Sequence, residues 1–313
     1  MKNKYSLIVA FMAFFTALFF FGGTEQVLAQ EAIAHLTAFE GQVELVREGS
    51  AVPVSAGMPI VNADKIVALE GTAEVEFLNG STLDIEPQST IVISHGTKQR
   101  KLRGVLTEEY QGRTIIVERG QVNASIVPSE AFQTEFESVC TVATVTGTTL
   151  SFGVNDEGFT IIQAEDGELI CDTQDGWVIV PLESGGSVGI FICPPPERVV
   201  LLVCYAGTLE IEAGESSVVL EAGEQVSLYY NPMTEVFHLS AVVGEVETTC
   251  GGDTILVPEG LGCTCAPGGL PPTEPTTPTI DPCYFVEPVA AGLAYSAPPP
   301  PPPPPSPPAS PFR

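Results

Sequence analysis

The three histidines of this chain are the side chains best suited to acid–base or metal chemistry, yet their spacing supports neither. His35, His95 and His238 lie far apart, without the short spacings of metal ligands or of a Glu-x-x-His motif. Ser94 and His95 are neighbours, and neighbouring side chains of a strand point to opposite faces, so they cannot form a serine–histidine pair. The sequence also lacks a nucleophile elbow, a phosphate-binding loop and a dinucleotide fingerprint. We therefore predict a non-enzyme with no catalytic, cofactor-binding or metal residues.

Eight cysteines form the second set of reactive side chains, and all of them lie beyond residue 139. They are Cys140, Cys171, Cys193, Cys204, Cys250, Cys263, Cys265 and Cys283. In an exported chain an even number of cysteines favours disulfides, so all eight are candidate disulfide cysteines whose pairing the sequence leaves open. The alternative for Cys171, Cys193 and Cys204, which lie in apolar segments, is a buried thiol. One residue between Cys263 and Cys265 is too short a spacing for a zinc site.

The charged residues limit the kinds of partner that this protein can bind. The chain has 39 Asp and Glu against 12 Lys and Arg, a formal net charge of −27. This charge argues against nucleic acid or an anionic membrane surface as a partner, because both are negative. Basic residues are concentrated in the segment 98–119, where Gly96, Gly104 and Gly112 interrupt any strand pattern and predict a solvated connection. The alternative is a contact patch for an acidic partner, formed by Lys98, Arg100, Lys101 and Arg103.

A segment bounded by glycines occurs four times in the chain, and it indicates which elements position these side chains. Its copies start at Gly41, Gly167, Gly207 and Gly244. In each copy apolar residues recur two apart, as in Val218 and Leu220, which is the period of a half-buried strand. Each copy therefore predicts a β-hairpin, and hairpins must stack to bury their apolar faces. The predicted structural turns are Gly41, Gly57, Asn79, Gly80, Gly120, Gly147, Gly167, Gly207, Gly223, Gly244 and Gly260.

The two ends of the chain differ in composition from the part between them. Lys2 and Lys4 precede an apolar run over 7–21, and small residues at 27–29 offer a cleavage site, so residues 1–29 are predicted to be a signal peptide cleaved near Ala29. The run is shorter than the roughly 20 residues of a membrane span. Residues 264–313 are proline-rich, with eight consecutive prolines at 298–305. They are predicted to be a disordered spacer or, alternatively, a ligand for a proline-binding domain.

Between these ends, short strands without helical periodicity predict an all-β fold. Ala73, Val75 and Phe77 alternate with polar residues before the Asn79–Gly80 turn, and Leu83 and Ile85 return on the partner strand. We predict a first β domain over 34–170 and a cysteine-bearing extension of β-hairpins over 171–263.

The span 36–170 resembles the FecR-domain family of exported bacterial proteins. The resemblance rests on ordered motifs, namely Gly41, Gln42 and Val43; Ala56 and Gly57; Asp64, Lys65 and Ile66; the run 71–81; Leu83, Asp84, Ile85 and Pro87; Gly120, Gln121 and Val122; Val145, Thr146, Gly147 and Thr148; Phe152; and Gly167, Glu168 and Leu169. Thr146 departs from the pattern, because the family often places arginine before this Gly-Thr pair.

This resemblance implies a jelly-roll-like β-sandwich or β-roll of the FecR type and a role in protein–protein or envelope interactions. Well-known members pass an iron-transport signal to a sigma factor through a cytoplasmic segment. Only six residues precede the apolar run here, which predicts that the sigma-binding part is lacking.

The sequence therefore predicts an exported scaffold or binding module for a protein or a glycan, periplasmic, on the cell surface or secreted. The alternatives are a regulatory module of iron-type envelope signalling that acts in trans, and a hydrolase or lyase with its site hidden on a jelly-roll frame.

Overall fold

The computed structural model describes residues 31–102, 106–129, 132–173, 176–193, 199–213, 216–231, 233–267, 272–278 and 280. Within these residues all regular structure is β, in 24 strands. No described segment forms a helix long and apolar enough to cross a membrane. The predicted signal peptide, Arg103, Cys283 and the proline run lie outside the described residues.

Twelve strands form one sheet, which we call sheet A. Numbered along the chain and given in their order across the sheet, they are β4 (Met58–Val61), β1 (Ala32–Glu40), β6 (Thr72–Phe77), β7 (Thr82–Ile85), β9 (Leu106–Ser125), β12 (Thr149–Val154), β13 (Thr160–Asp166), β16 (Ser187–Ile192), β17 (Val200–Ala206), β20 (Gln225–Asn231), β21 (Val236–Val243) and β24 (Gly262–Cys265). All neighbours in sheet A are antiparallel.

The second sheet, sheet B, shares β9 with the first. In order across the sheet its strands are β3 (Ser50–Val52), β2 (Val43–Arg47), β5 (Asp64–Ala68), β8 (Ser89–Leu102), β9, β10 (Gln133–Glu137), β11 (Thr141–Val145), β14 (Leu169–Thr173), β15 (Val178–Leu182), β18 (Thr208–Ala213), β19 (Ser216–Glu221), β22 (Val246–Cys250) and β23 (Asp253–Val257). Only the β9–β10 pair is parallel.

The core lies between the two sheets. Apolar side chains alternate inward along each strand and join one continuous cluster from Ala34 to Cys265. Phe77, Phe136 and Phe152 are its largest fully buried members. The predicted all-β, jelly-roll-like sandwich is confirmed.

The four glycine-bounded segments are hairpins of sheet B: β2–β3, β14–β15, β18–β19 and β22–β23. The hairpins β12–β13, β16–β17 and β20–β21 each precede one of the three later copies and belong to sheet A. From β12 onward the chain therefore adds hairpins to the two sheets in turn, and the repeating unit is about 38 residues.

The same backbone contacts recur in each of these units. In sheet A, Ala164, Cys204 and Ala241 each exchange two backbone hydrogen bonds with the turn that leads to the next hairpin. The carbonyls of these three residues accept hydrogen bonds from Gly185, Gly223 and Gly260, at 2.8, 2.8 and 2.9 Å respectively. Every glycine predicted to form a structural turn has a positive φ, but Gly120 lies within β9, so the prediction of a turn there is wrong.

The beginning of the predicted proline-rich segment continues sheet A. Thr264 and Cys265 lie in β24, and Thr276 exchanges two backbone hydrogen bonds with Gly262, at 2.8 and 2.9 Å. Thr276 therefore forms an isolated antiparallel bridge with β24.

Candidate functional site

The predicted connection at 98–119 is wrong, because this segment forms two long paired strands. β8 and β9 stay in register from Ile91–Val117 to Leu102–Leu106, after one register shift at Thr90, and Gly96 pairs directly with Gly112. Glycine keeps its backbone donor and acceptor, so a facing pair of glycines weakens the ladder without interrupting it.

The outer part of this hairpin extends beyond the other strands. β5 pairs with β8 only as far as Ile93, and β10 pairs with β9 only from Gly112 onward. Residues 97–102 and 106–111 therefore pair with each other and with no other described strand. We call these residues the basic arm.

The basic residues of the predicted contact patch lie on this arm. Lys98, Arg100 and Lys101 belong to β8. Lys98 is already engaged, because its Nζ lies 3.2 Å from Oε2 of the buried Glu135, whose Oε1 accepts a hydrogen bond from the Tyr110 hydroxyl. Lys98 therefore fastens the arm to β10 and is not available to a partner in the way that the sequence predicted.

Arg113 belongs to the same basic segment but lies inside the molecule, at the base of the arm. Only 5% of its surface is exposed. Its Nη2 donates to Oδ1 of Asn79 at 3.0 Å, and its Nη1 has no hydrogen-bond partner among the residues that the structure describes. Burial lowers the pKa of the guanidinium to about 10.

Two aromatic rings enclose this guanidinium. Its Cζ lies 3.9 Å from the centre of the Phe77 ring and 4.6 Å from that of Phe132. Sequence reasoning missed this arrangement, although a signal was present. Arg113 continues the alternation of Ile115 and Val117, both of which point into the core.

A cavity of about 390 Å³ lies beside Phe132, between β9, β10 and the turn that follows β11. Its wall combines apolar side chains, such as Ile126 and Pro128, with neutral polar ones, such as Gln111 and Thr134. No charged residue lines it among those that the structure describes. This volume lies in the usual range for a small-molecule pocket.

The three histidines lie on different strands and do not meet. His35 is on β1 and His95 is on β8, with its ring 5.6 Å from Phe132. His238 is on β21, where Nδ1 lies 3.2 Å from the Thr264 hydroxyl. In the described part of the chain, no group of three His, Cys, Asp or Glu residues is placed to hold a metal ion.

The candidate disulfide cysteines divide into two groups. Cys250 and Cys265 are bonded to each other, and Cys193 is also disulfide-bonded. Cys140, Cys171, Cys204 and Cys263 are unbonded and buried, so the prediction of disulfides is wrong for these four. The alternative of a buried thiol holds for Cys171 and Cys204 and is wrong for Cys193.

The repeat explains two of these corrections. Cys204 occupies the position of Ala164 and Ala241, where a small residue faces the core. Cys171 occupies the inward position of Ile211 in the next sheet-B hairpin. Both act as small apolar side chains, and burial raises the pKa of the Cys204 thiol to about 11, which keeps it unreactive.

The fold and this site together define an all-β, two-sheet protein of the jelly-roll-like kind, with a projecting basic hairpin. No protein-family model matches the chain. No curated protein matches it either.

Among solved structures, the chain is similar to two crystal structures, at 2.50 and 1.65 Å resolution, of a "putative anti-sigma factor" from Parabacteroides distasonis ATCC 8503. The identity is 12% and the TM-score is 0.32 for each, over 40% of this chain. The match spans 54% of that protein's chain.

Proposed function

We propose that this protein is an exported, non-enzymatic binding module that contacts an acidic partner protein through its basic arm. The observation that carries the proposal is the arm itself. It pairs with no other described strand, so both of its outer edges present backbone N–H and C=O groups for pairing. An extended segment of another protein can add to such an edge as a further strand.

The charge of the arm supports an acidic partner. Residues 98–103 contain four basic residues and no acidic one, in a chain of net charge −27. Lys98 is paired with Glu135, and the facing strand of the arm carries Glu108 and Glu109, so the charge offered to a partner is that of Arg100, Lys101 and Arg103. Opposite charges steer two proteins into contact and discriminate against wrong partners. The acidic body of the protein repels the same partner everywhere else, so binding is directed to the arm.

Two further observations support export. The sequence predicts a signal peptide, and the Cys250–Cys265 disulfide suits an oxidising compartment. The resemblance of residues 36–170 to the FecR-domain family belongs to the same proposal, because it implies contact rather than catalysis.

The test measures binding of the chain 30–313 to a labelled peptide that alternates Glu and Thr. One variant combines Arg100→Gln, Lys101→Gln and Arg103→Gln. It is expected to bind the peptide about tenfold more weakly at moderate salt, since three favourable charges are lost. The matched control leaves the arm unchanged and carries Gln42→Glu, Ser50→Glu and Thr254→Glu. These substitutions lower the net charge by the same amount, at exposed positions remote from the arm in sequence. We expect the control to keep most of the affinity.

Hydrogen exchange locates the contact. Peptide binding is expected to protect backbone amides within 97–111. Equal losses in the two variants, or protection outside the arm, would contradict the proposal. Binding of polygalacturonate without binding of the peptide would replace the protein partner with a glycan.

A further inference from the structure

Arg113 is a buried cation that the protein leaves without a carboxylate. The chain contains 39 Asp and Glu, but within the described residues the only hydrogen bond of this guanidinium goes to an amide oxygen, that of Asn79. Buried charges are normally paired, because desolvation of an isolated charge is costly. The unpartnered N–H groups of Nη1 are therefore donors that call for an acceptor from outside the chain.

The two rings around Arg113 define what kind of acceptor fits. Phe77 and Phe132 cover the guanidinium and stabilise its charge through cation–π contacts. Ring faces cannot satisfy the N–H groups that lie in the guanidinium plane. A planar carboxylate can satisfy them, because its two oxygens match two of these N–H groups.

The cavity lies next to this cation. Phe132 contacts the guanidinium and also lines the cavity, and Thr134, another lining residue, is paired with Arg113 in register. Phe132 therefore contacts both the cavity and the guanidinium. The described wall has no charged side chain, so no lining residue pairs with an anion before it reaches Arg113.

We propose that Arg113 binds the carboxylate of an organic monoanion whose uncharged part occupies the cavity beside Phe132. The wall of apolar and neutral polar groups suits a body that combines apolar surface with hydrogen-bonding groups. A free carboxylic acid and the C-terminal carboxylate of a peptide share this chemistry. The site is separate from the outer edges of the arm and goes beyond the proposed function.

The test uses the chain 30–313 with two probes, phenylacetate and N-acetyl-Ala-Val. Each probe is compared with its uncharged amide. Binding is measured by calorimetry and by NMR of the arginine Nε–H signals, of which the Arg113 signal is assigned by its loss in Arg113→Met. The carboxylates are expected to bind at least about tenfold more tightly than the amides and to shift the Arg113 signal. The tighter of the two probes distinguishes a small acid from a peptide end.

Arg113→Met removes the charge and keeps much of the volume, so it is expected to abolish the preference for the carboxylate. Arg119→Met is the matched control, since Arg119 lies on the same strand, is half exposed and pairs with Asp156 at the surface. Gln133→Phe fills the cavity and keeps Arg113, and is also expected to abolish binding. Three results would overturn the proposal: equal affinity for acid and amide, unchanged binding by Arg113→Met, or no binding at 10 mM probe. A binding free energy of about 3 kcal/mol already gives a dissociation constant of that size.

Discussion

At the scale of residues, the buried charges of Asp64 and Arg113 differ in whether they have a partner of opposite charge. Asp64 is fully buried and accepts hydrogen bonds from Nε and Nη2 of Arg47, at 2.8 and 2.6 Å, and from the Val61 amide at 2.8 Å. Arg113 has one amide partner and two rings. The first charge belongs to the fold, and the second is left for a ligand.

Loss of the Arg47 partner should therefore be costly. Arg47→Met is expected to lower the free energy of unfolding by about 2 to 4 kcal/mol, because it leaves the Asp64 carboxylate buried and unpaired. Urea denaturation measures the change.

Lys65→Met is the control for this prediction. Lys65 pairs with Glu118 at 2.6 Å, but both side chains are more than one-third exposed. Such a pair is worth at most about 1 kcal/mol. Equal losses for Arg47→Met and Lys65→Met would show that the Asp64 pair contributes no more than a surface pair.

At the scale of elements, one close backbone approach positions the turn between β1 and β2 beside the start of β6. A Cβ on Gly71 would lie 2.1 Å from the Glu40 carbonyl oxygen and 2.8 Å from the Gln42 nitrogen. Both neighbours are backbone atoms, which cannot turn aside as a side chain can. The absence of a side chain at Gly71 is therefore a condition for this packing.

Gly71→Ala is accordingly expected to lower the free energy of unfolding by at least about 3 kcal/mol, since the two segments must separate. Gly80→Ala gives the comparison. Gly80 has φ of +83°, but nothing lies within 4 Å of the added Cβ. Only the backbone strain of about 1 to 2 kcal/mol is then expected. A smaller loss for Gly71→Ala than for Gly80→Ala would contradict the close approach.

At the scale of the whole molecule, hairpins extend both sheets in turn, and a disulfide joins the sheets near their C-terminal end. Cys250 lies on β22 of sheet B and Cys265 on β24 of sheet A, with their Cα atoms 5.7 Å apart. β23 is the edge strand of sheet B. The bond therefore holds together the last strands that the chain adds.

Removal of this bond by Cys250→Ala and Cys265→Ala together is expected to lower stability by about 3 kcal/mol, the value for a closed loop of about 15 residues. Cys263→Ala controls for lost packing, because Cys263 is a buried, unbonded thiol on the same strand. We expect a loss of about 1 kcal/mol there. Thermal unfolding without reductant compares the variants, and similar losses would argue against a role for the bond.

Much of this architecture follows from local patterns. The turns at Gly207 and Gly223 and the alternation of Leu209 and Ile211 specify a hairpin, because both depend on neighbouring residues only. The prediction at Gly96 and Gly112 was wrong for the opposite reason. The pairing of two glycines depends on a partner strand, which a local pattern does not contain.

The sequence by itself determined that this protein is built from β-hairpins, since strand period and turn conformation are short-range properties of the backbone. Only the tertiary structure decided which sheet each hairpin joins, because that depends on hydrogen bonds and burial between distant segments. The same long-range packing placed Arg113 between Phe77 and Phe132, while Arg119, six residues further along β9, pairs with Asp156 at the surface. A candidate binding site and an ordinary surface charge were thereby separated within one basic segment.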